Sequence, residues 1–213
     1  MPHFKIVKTT AVLALISLLF ACVSPPPSPH IKSSEQHQAQ LASLQNWKIE
    51  GRLGFKSPVE KNFSASLDWR QDTKHYQLKL SSALASLMGV SSLKMRGQPG
   101  EVELEMDDKV HQGKDPEQLI RRITGWQIPV TYFPMWIKAQ HGSNDQVLIN
   151  LQGWVEQIQP QCEGCSAWLI TYDNYQLLDK DPAKQLWLPH KIVLKNSDNQ
   201  STIIIRVNTW TKN

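Results

Sequence analysis

Strict alternation of apolar and polar side chains constrains the fold of this chain more than any other feature. In residues 101–106, Glu-Val-Glu-Leu-Glu-Met, every second side chain is apolar and the others are glutamates. Residues 62–69 and 76–80 alternate in the same way. A period of two places one face of a β-strand against a core and the other in water, whereas a helix needs a period near 3.6. The chain is therefore predicted to be mainly β.

Further runs of this type predict a sheet of many strands. They begin at Trp47 and recur at 63–69, 76–80, 93–95, 101–106, 147–151, 154–158, 167–172, 191–195 and 203–210. Gln98-Pro99-Gly100 is a turn sequence and predicts a hairpin between the fourth and fifth of these runs. Many sequential strands interrupted once by helices predict a strongly curved antiparallel sheet, or open and incomplete β-barrel, with a short helical lid.

The helical interruption is marked by its end signals. Asp115 is a suitable N-cap, Pro116 suits the first helical position, and Gly125 is a suitable stop after apolar residues at helical spacing. A second helical piece is predicted over 133–139. A further short helix is predicted over 38–45, ahead of the first strand.

The N-terminal segment resembles a lipoprotein signal. Residues 11–20 are almost entirely apolar, follow a short basic stretch, and lead through Ala21 to Cys22. This order resembles the lipobox, at which the cysteine thiol receives diacylglycerol and the chain is cleaved before it. The apolar run is about ten residues, whereas a helix needs about 20 to span a bilayer. We expect residues 1–21 to be removed and an acylated Cys22 to anchor the protein stably.

The residue after Cys22 bears on the membrane in which the anchored protein is located. Retention of bacterial lipoproteins in the inner membrane typically requires aspartate there, and this chain has Val23. The outer membrane, on its periplasmic face, is therefore the expected location. Residues 22–37 are rich in proline and serine and are predicted to form an extended tether. Residues 38–213 are expected to form one domain.

Charge and composition argue against several classes of protein. Without Lys5 and Lys8 the chain has 21 basic and 19 acidic residues, and it contains no basic run, so nucleic-acid binding is not expected. It contains no nucleotide-binding or hydrolase motif, and its seven histidines are scattered. We expect neither an enzyme nor a site for a metal or cofactor. No heptad pattern indicates an oligomer, and a monomer is expected.

Cys162 and Cys165 form an isolated pair. In an oxidising compartment such a pair favours a local disulfide, because no second pair completes a zinc site. A redox role for the Cys-x-x-Cys spacing remains open, although Pro160 and Gly164 are more typical of a hairpin tip.

Residues 81–92 connect two predicted strands and yet are strongly apolar, with Leu84, Leu87 and Met88 at helical spacing. A connection normally lies on the surface, so this segment would expose an apolar patch to a membrane, partner or ligand. The alternative is that it folds back into the core or forms a short buried helix.

Inward-facing apolar side chains of a sheet too curved to close, covered by helices, would enclose an apolar cavity suited to acyl chains. The chain has eight tryptophans, and for any one of them ordinary core packing remains the alternative. The candidate cavity residues are Phe63, Leu67, Trp69, Leu78, Leu80, Leu93, Met95, Leu104, Ile120, Trp126, Trp136 and Trp168.

Several of these segments together resemble the LolB family, the outer-membrane receptors of bacterial lipoprotein sorting. The resemblance rests on the strand 51–55, the strand at Tyr76, the turn 98–100, and the segment 119–137 with Gly125-Trp126-Gln127-Ile128-Pro129-Val130 and Trp136-Ile137. It spans essentially the whole mature domain.

The resemblance implies an open β-barrel with a helical lid, and a cavity that accepts the acyl chains of lipoproteins from the periplasmic carrier LolA. It also implies a protruding loop that helps to insert lipoproteins into the outer membrane. Its tip in the family is a leucine before a glycine, which Met88-Gly89 matches here, while Leu84 and Leu87 lie in a longer loop. A lipocalin-like carrier or scaffold of the envelope is the alternative function.

Overall fold

One antiparallel sheet dominates the computed structural model, which describes residues 33–59, 62–81, 92–106, 108–178 and 185–213. Its strands are β1 (Trp47–Lys56), β2 (Phe63–Gln71), β3 (Tyr76–Ser81), β4 (Ser92–Gln98), β5 (Glu101–Met106), β6 (Lys109–Gly113), β7 (Gln146–Ile149), β8 (Val155–Gln159), β9 (Trp168–Leu177), β10 (Trp187–Asn196) and β11 (Thr202–Lys212). Their order is β6-β5-β4-β3-β2-β1-β11-β10-β9-β8-β7. Within the described residues β6 and β7 are unpaired edges, so the barrel is open, as predicted.

Apart from β6 and β7, strands that are neighbours in the sequence pair with each other, and one long-range pairing joins the two halves of the sheet. β1 pairs with β11 from Trp47↔Lys212 to Lys56↔Thr202, with a register shift between Glu50 and Gly51. A Cβ at Gly51 would lie 2.1 Å from the backbone oxygen of Arg206, so only glycine fits this close approach. A bulge of this type increases strand twist and bends the sheet at its centre.

In the part of the chain that the structure describes, three α-helices accompany the sheet: α1 (Ser34–Ser43), α2 (Pro116–Thr124) and α3 (Phe133–Trp136), the last preceded by a 3-10 turn, Val130–Tyr132. The end signals of α2 are confirmed. Asp115 Oδ1 accepts from the N–H groups of Glu117 and Gln118 at 2.8 and 3.2 Å. Gly125 ends the helix in the left-handed conformation, with φ of 77°.

Helix α1 starts earlier than predicted. Ser33 caps it by accepting from the Gln36 N–H at 3.2 Å, and the side chain of His37 is buried with Nε2 2.8 Å from the Trp187 carbonyl oxygen. The prediction that the tether extends through residue 37 is therefore wrong for residues 33–37. Residues 34–40 contain alanine as their single apolar residue, so hydrophobic periodicity could not mark this turn.

Strand β6 was not predicted, and α3 is shorter than the predicted helix over 133–139. The β6 sequence, Lys-Val-His-Gln-Gly, has little alternation, and Val110 is exposed at this sheet edge. The turn before β6 includes Asp108 at φ 64°, in the left-handed region that aspartate tolerates.

The helices cover the inner face of the sheet in two places. In the half formed by β8–β11, helices α1 and α3 complete a packed core that includes Leu41, Ile137, Ile170 and Leu194. Lys138, just after α3, is only 6% exposed and donates from Nζ to the carbonyl oxygens of Leu41 and Leu44 at 3.0 and 2.9 Å. The last turn of α1 is thereby tied to α3.

Helix α2 instead packs on the other half of the sheet. Leu119 is buried in a second, smaller cluster with Met95, Val102 and Leu104. Between this cluster and the main core, the inner face of the sheet is not filled by side chains.

Candidate functional site

A cavity of about 450 Å³ lies between the inner face of β1–β5 and β11 on one side and the segment 114–134 on the other. This volume is in the range of small-molecule binding pockets in proteins, roughly 300–1,000 Å³. The cavity therefore has room for an apolar ligand.

The floor of the cavity consists of cross-strand rows of apolar side chains. Trp69, Leu78, Met95 and Leu104 are directly opposite one another in consecutive strands from β2 to β5. Two residues further along, Leu67, Leu80 and Leu93 form a parallel row. Alternate residues of a strand face the same side, so both rows point inward. The alternation in the sequence thus produces a continuous apolar floor.

A third inward row, at one end of the cavity, has a different character. It contains Gln71, Tyr76 and Gly97 in register across β2, β3 and β4. Tyr76 lies over Gly97, since a Cβ there would be 2.4 Å from both Cζ and the phenolic oxygen of Tyr76. Partial burial raises the pKa of Tyr76 to about 12, so the hydroxyl is neutral at physiological pH.

Trp126 closes the cavity from the lid side. Its ring stacks on Phe55 of β1 at a centroid distance of 4.7 Å and on Phe63 of β2 at 5.7 Å, with interplanar angles of 23° and 8°. The backbone places the indole there, because Gly125 ends α2 and the Trp126 N–H donates to Thr124 Oγ1 at 3.2 Å. The lid therefore contacts the floor through an aromatic stack.

All the predicted cavity residues except Trp136 and Trp168 line this cavity. Trp136 is only 1% exposed and lies beside a small separate void with Ile192 and Leu194 of β10. Trp168, 2% exposed, belongs to the packed core beneath α1 and α3. The prediction is wrong for these two residues, because in their half of the sheet the helices fill the inner face.

Sequence reasoning also missed part of the lining. The missed apolar residues are Leu53, Phe55, Tyr76, Ile128, Val130, Phe133, Ile203 and Ile205. Those of β1 and β11 alternate along their strands, a signal that could have found them, while those of the lid follow no strand or helix period.

Other predicted site residues lie elsewhere. Cys162 and Cys165 form a disulfide in the connection between β8 and β9, and neither lines the cavity. Cys22 and the predicted insertion loop residues Leu84, Leu87, Met88 and Gly89 lie outside the described residues.

No helix in the described ranges is both long and apolar enough to cross a membrane. Over the same residues, no three His, Cys, Asp or Glu side chains are grouped in a way that could hold a metal ion.

Comparison with known proteins decides the family. A family model described as "Outer membrane lipoprotein LolB" matches residues 45–210, which include the lid and all of the sheet except the last two residues of β11. The chain belongs to the LolB family. This confirms the assignment made from sequence resemblance.

Relatives within the LolB family align along most of the chain. The outer-membrane lipoprotein LolB of Tolumonas auensis is 32% identical over 208 residues, covering 97% of each protein. The LolB of Shewanella sediminis is 33% identical over 202 residues, covering 93% of this chain and 84% of that protein. The LolB of Pseudomonas fluorescens is 28% identical over 171 residues, covering 80% and 77%.

A solved structure shows the fold of this LolB-family chain in a distant protein. A DUF1329 family protein from Desulfovibrio piger superposes with a TM-score of 0.52 at 7% identity, covering 86% of this chain and 93% of that one. A LolA superfamily protein from Nitrosomonas europaea gives a TM-score of 0.49 at 5% identity, covering 85% and 94%. At such identity the first likeness concerns the fold alone.

Proposed function

We propose that this chain is an outer-membrane receptor that accepts lipoproteins from a LolA-type periplasmic carrier and inserts them into the outer membrane. The cavity between the sheet and the lid carries the proposal, together with membership of the LolB family. Most of its lining side chains are apolar, chiefly leucine, isoleucine and aromatic residues, and none of its described lining residues is a carboxylate. Such walls suit acyl chains.

Transfer of acyl chains needs no chemical step. Burial of an acyl chain contributes about 0.8 kcal/mol per methylene, so small differences in packing between two cavities produce a useful bias. A difference of about 1.4 kcal/mol favours this cavity over that of the carrier tenfold. The mechanism therefore requires no nucleotide, cofactor or metal, and the protein acts without catalysing a reaction.

The Trp126 stack is weak enough to be displaced by a ligand. An aromatic pair contributes roughly 0.5–1.5 kcal/mol beyond its buried area, and Trp126 makes two such pairs, with Phe55 and Phe63. Burying a few methylenes exceeds this contribution. An entering acyl chain can therefore take the place of the Trp126 ring against the side chains of the sheet.

Insertion is assigned to the predicted loop and the lipid anchor. Leu80 and Leu93, which line the cavity, are in register at the ends of β3 and β4 from which the loop departs. In the proposal Leu84, Leu87 and Met88 contact the bilayer beside this end of the cavity. An acylated Cys22 would hold the domain on the periplasmic face of the outer membrane as a monomer.

A transfer assay tests the proposal in two steps. Radiolabelled lipoprotein bound to LolA is mixed with the full-length protein, and its transfer to the protein and then to liposomes is measured. In the loop variant, Leu84, Leu87 and Met88 are each changed to Glu. We expect this variant to accept lipoprotein but to fail in delivery.

A matched control changes three exposed apolar residues on the described surface, Val110, Leu148 and Leu151, to Glu. It should accept and deliver like the wild type. If the folded wild type takes no lipoprotein from LolA, the receptor proposal is wrong, and the alternative of a general lipid-binding or scaffold lipoprotein replaces it. If loop and control variants deliver equally well, insertion does not occur through the loop.

A further inference from the structure

Among the described residues that line the cavity, the charged ones are two lysines. Lys74 lies in the turn between β2 and β3, and Lys114 lies between β6 and α2. Both side chains are exposed. Because no aspartate or glutamate is among the described lining residues, the charge of that lining is of one sign.

The two lysines lie at the same end of the sheet. Consecutive pairings connect Gln71 of β2 through Tyr76, Gly97 and Val102 to Gly113 of β6 in a single cross-strand row. Lys74 and Lys114 lie beyond this row, in the connections that follow β2 and β6. Since the row runs across the whole of this half of the sheet, both ammonium groups are placed at one mouth of the cavity.

Polarity changes along the cavity in the same direction. Near the lysines the lining includes the side chains of Gln71, Thr73 and Gln98. Leu78 and Leu80 lie two and four residues beyond Tyr76 along β3, and the cross-strand rows that contain them are apolar. The cavity is therefore amphipathic, with a polar cationic end and an apolar interior.

Nearby carboxylates are already engaged by other groups. Asp72 Oδ1 accepts from the N–H groups of Lys74 and His75, both at 2.7 Å. Asp115 caps α2, and Glu101 accepts from Gln98 Nε2 at 2.8 Å. Within the described residues, neither lysine ammonium has an ion-pair partner.

We infer that the cavity also binds anionic amphiphiles, with a phosphate or carboxylate head beside Lys74 and Lys114 and the acyl chain along the apolar rows. This inference rests on the proposed acyl-binding function of the cavity. The acyl groups of a lipoprotein are attached through neutral esters and amides, which need no cation. A pair of unpaired ammonium groups instead complements anionic oxygen atoms.

The test uses two photoreactive probes that differ in head group. Hexadecyl phosphate and hexadecylphosphocholine, each with a diazirine at the end of the chain, are added to the full-length protein in phosphatidylcholine liposomes. Labelling is compared among the wild type, the variant K74Q/K114Q and the control K195Q/K212Q. The control loses the same charge at exposed lysines outside the cavity lining.

We expect the wild type and the control to be labelled about fivefold more by the phosphate probe, which is the size expected for two exposed ion pairs. The preference should decrease in 0.5 M salt, because exposed charges are screened. In K74Q/K114Q it should disappear, while labelling by the phosphocholine probe is unchanged.

Equal labelling of the wild type by the two probes would overturn the inference and leave acyl binding intact. An equal loss of preference in both double variants would also overturn it, because the effect would then come from net charge. Labelling by neither probe would contradict acyl binding itself, and with it the proposed function.

Discussion

The indole of Trp126 lies face to face with the phenyl ring of Phe55, 4.7 Å away between ring centroids. This stack joins the segment after α2 to the central strand of the sheet across the cavity. Phe63 extends it from β2, at 5.4 Å from Phe55. A lid held by side-chain contacts rather than by backbone pairing can open while the sheet stays intact.

Removal of this stack should speed the entry of an acyl chain. An entering chain must break two ring contacts of about 1 kcal/mol each, and Trp126→Ala lacks both, so we expect the association rate of a fluorescent acyl probe to increase by up to roughly thirtyfold. Stopped-flow fluorescence measures this rate. Trp154→Ala is the control, because Trp154 stacks on Tyr175 at 5.0 Å and does not line the cavity. Equal rates in the two variants would show that the stack does not hold the lid.

A methyl group at Gly97 should disturb the polar end of the cavity through Tyr76. The new Cβ would overlap the tyrosine ring, so Gly97→Ala should decrease the free energy of unfolding by about 1–3 kcal/mol. Urea denaturation measures it. In the background of Tyr76→Ser the same substitution should cost much less, which gives a coupling energy in a double-mutant cycle. Additive effects would contradict the overlap.

Loss of the disulfide should affect stability but not transfer. The bridge between Cys162 and Cys165 closes a short loop, so changing both to Ala should decrease the free energy of unfolding by about 2 kcal/mol on the chain-entropy estimate. The cavity lining does not include either residue, and lipoprotein transfer should continue at the wild-type rate. Abolished transfer in a folded double variant would instead support a thiol redox function.

The buried ammonium group of Lys138 should make stability depend on pH. Desolvation lowers its pKa to about 8 from the ordinary 10.5. Between these values the unfolded chain binds more protons than the folded one, so the free energy of unfolding should increase with pH. From pH 7.5 to 9.5 we expect an increase of about 2 kcal/mol relative to Lys138→Met.

This comparison stops at pH 9.5 because tyrosines act in the opposite direction above it. Burial raises the pKa of Tyr172 and of Tyr175, so each favours the unfolded state once free tyrosine ionises near pH 10. Urea denaturation at several pH values measures the difference. A wild type and Lys138→Met that change in parallel would show that Lys138 is not desolvated.

The extent of the cavity shows where prediction from sequence ends. The sequence identified four of the lining residues because alternation with a period of two shows which side chains share one face of the sheet. They are Leu67, Leu78, Leu80 and Leu93. The same rule placed Trp168 on an inner face, but the inner face of β9 is filled by helices and that of β2–β5 is not. Periodicity determines the face of a strand and contains no information about what packs on it.

The sequence alone determined that the chain is a curved antiparallel sheet with a short helical lid. It did so through the alternation of apolar and polar residues and through the end signals Asp115 and Gly125, because such signals act over a few neighbouring residues. The tertiary structure alone decided that Gln71, Tyr76 and Gly97 share one row and that Lys74 and Lys114 lie at its end. It also decided that Trp126 reaches Phe55 across the cavity. Strand register and lid contacts join residues tens of positions apart, and such contacts arise only when the whole sheet has formed.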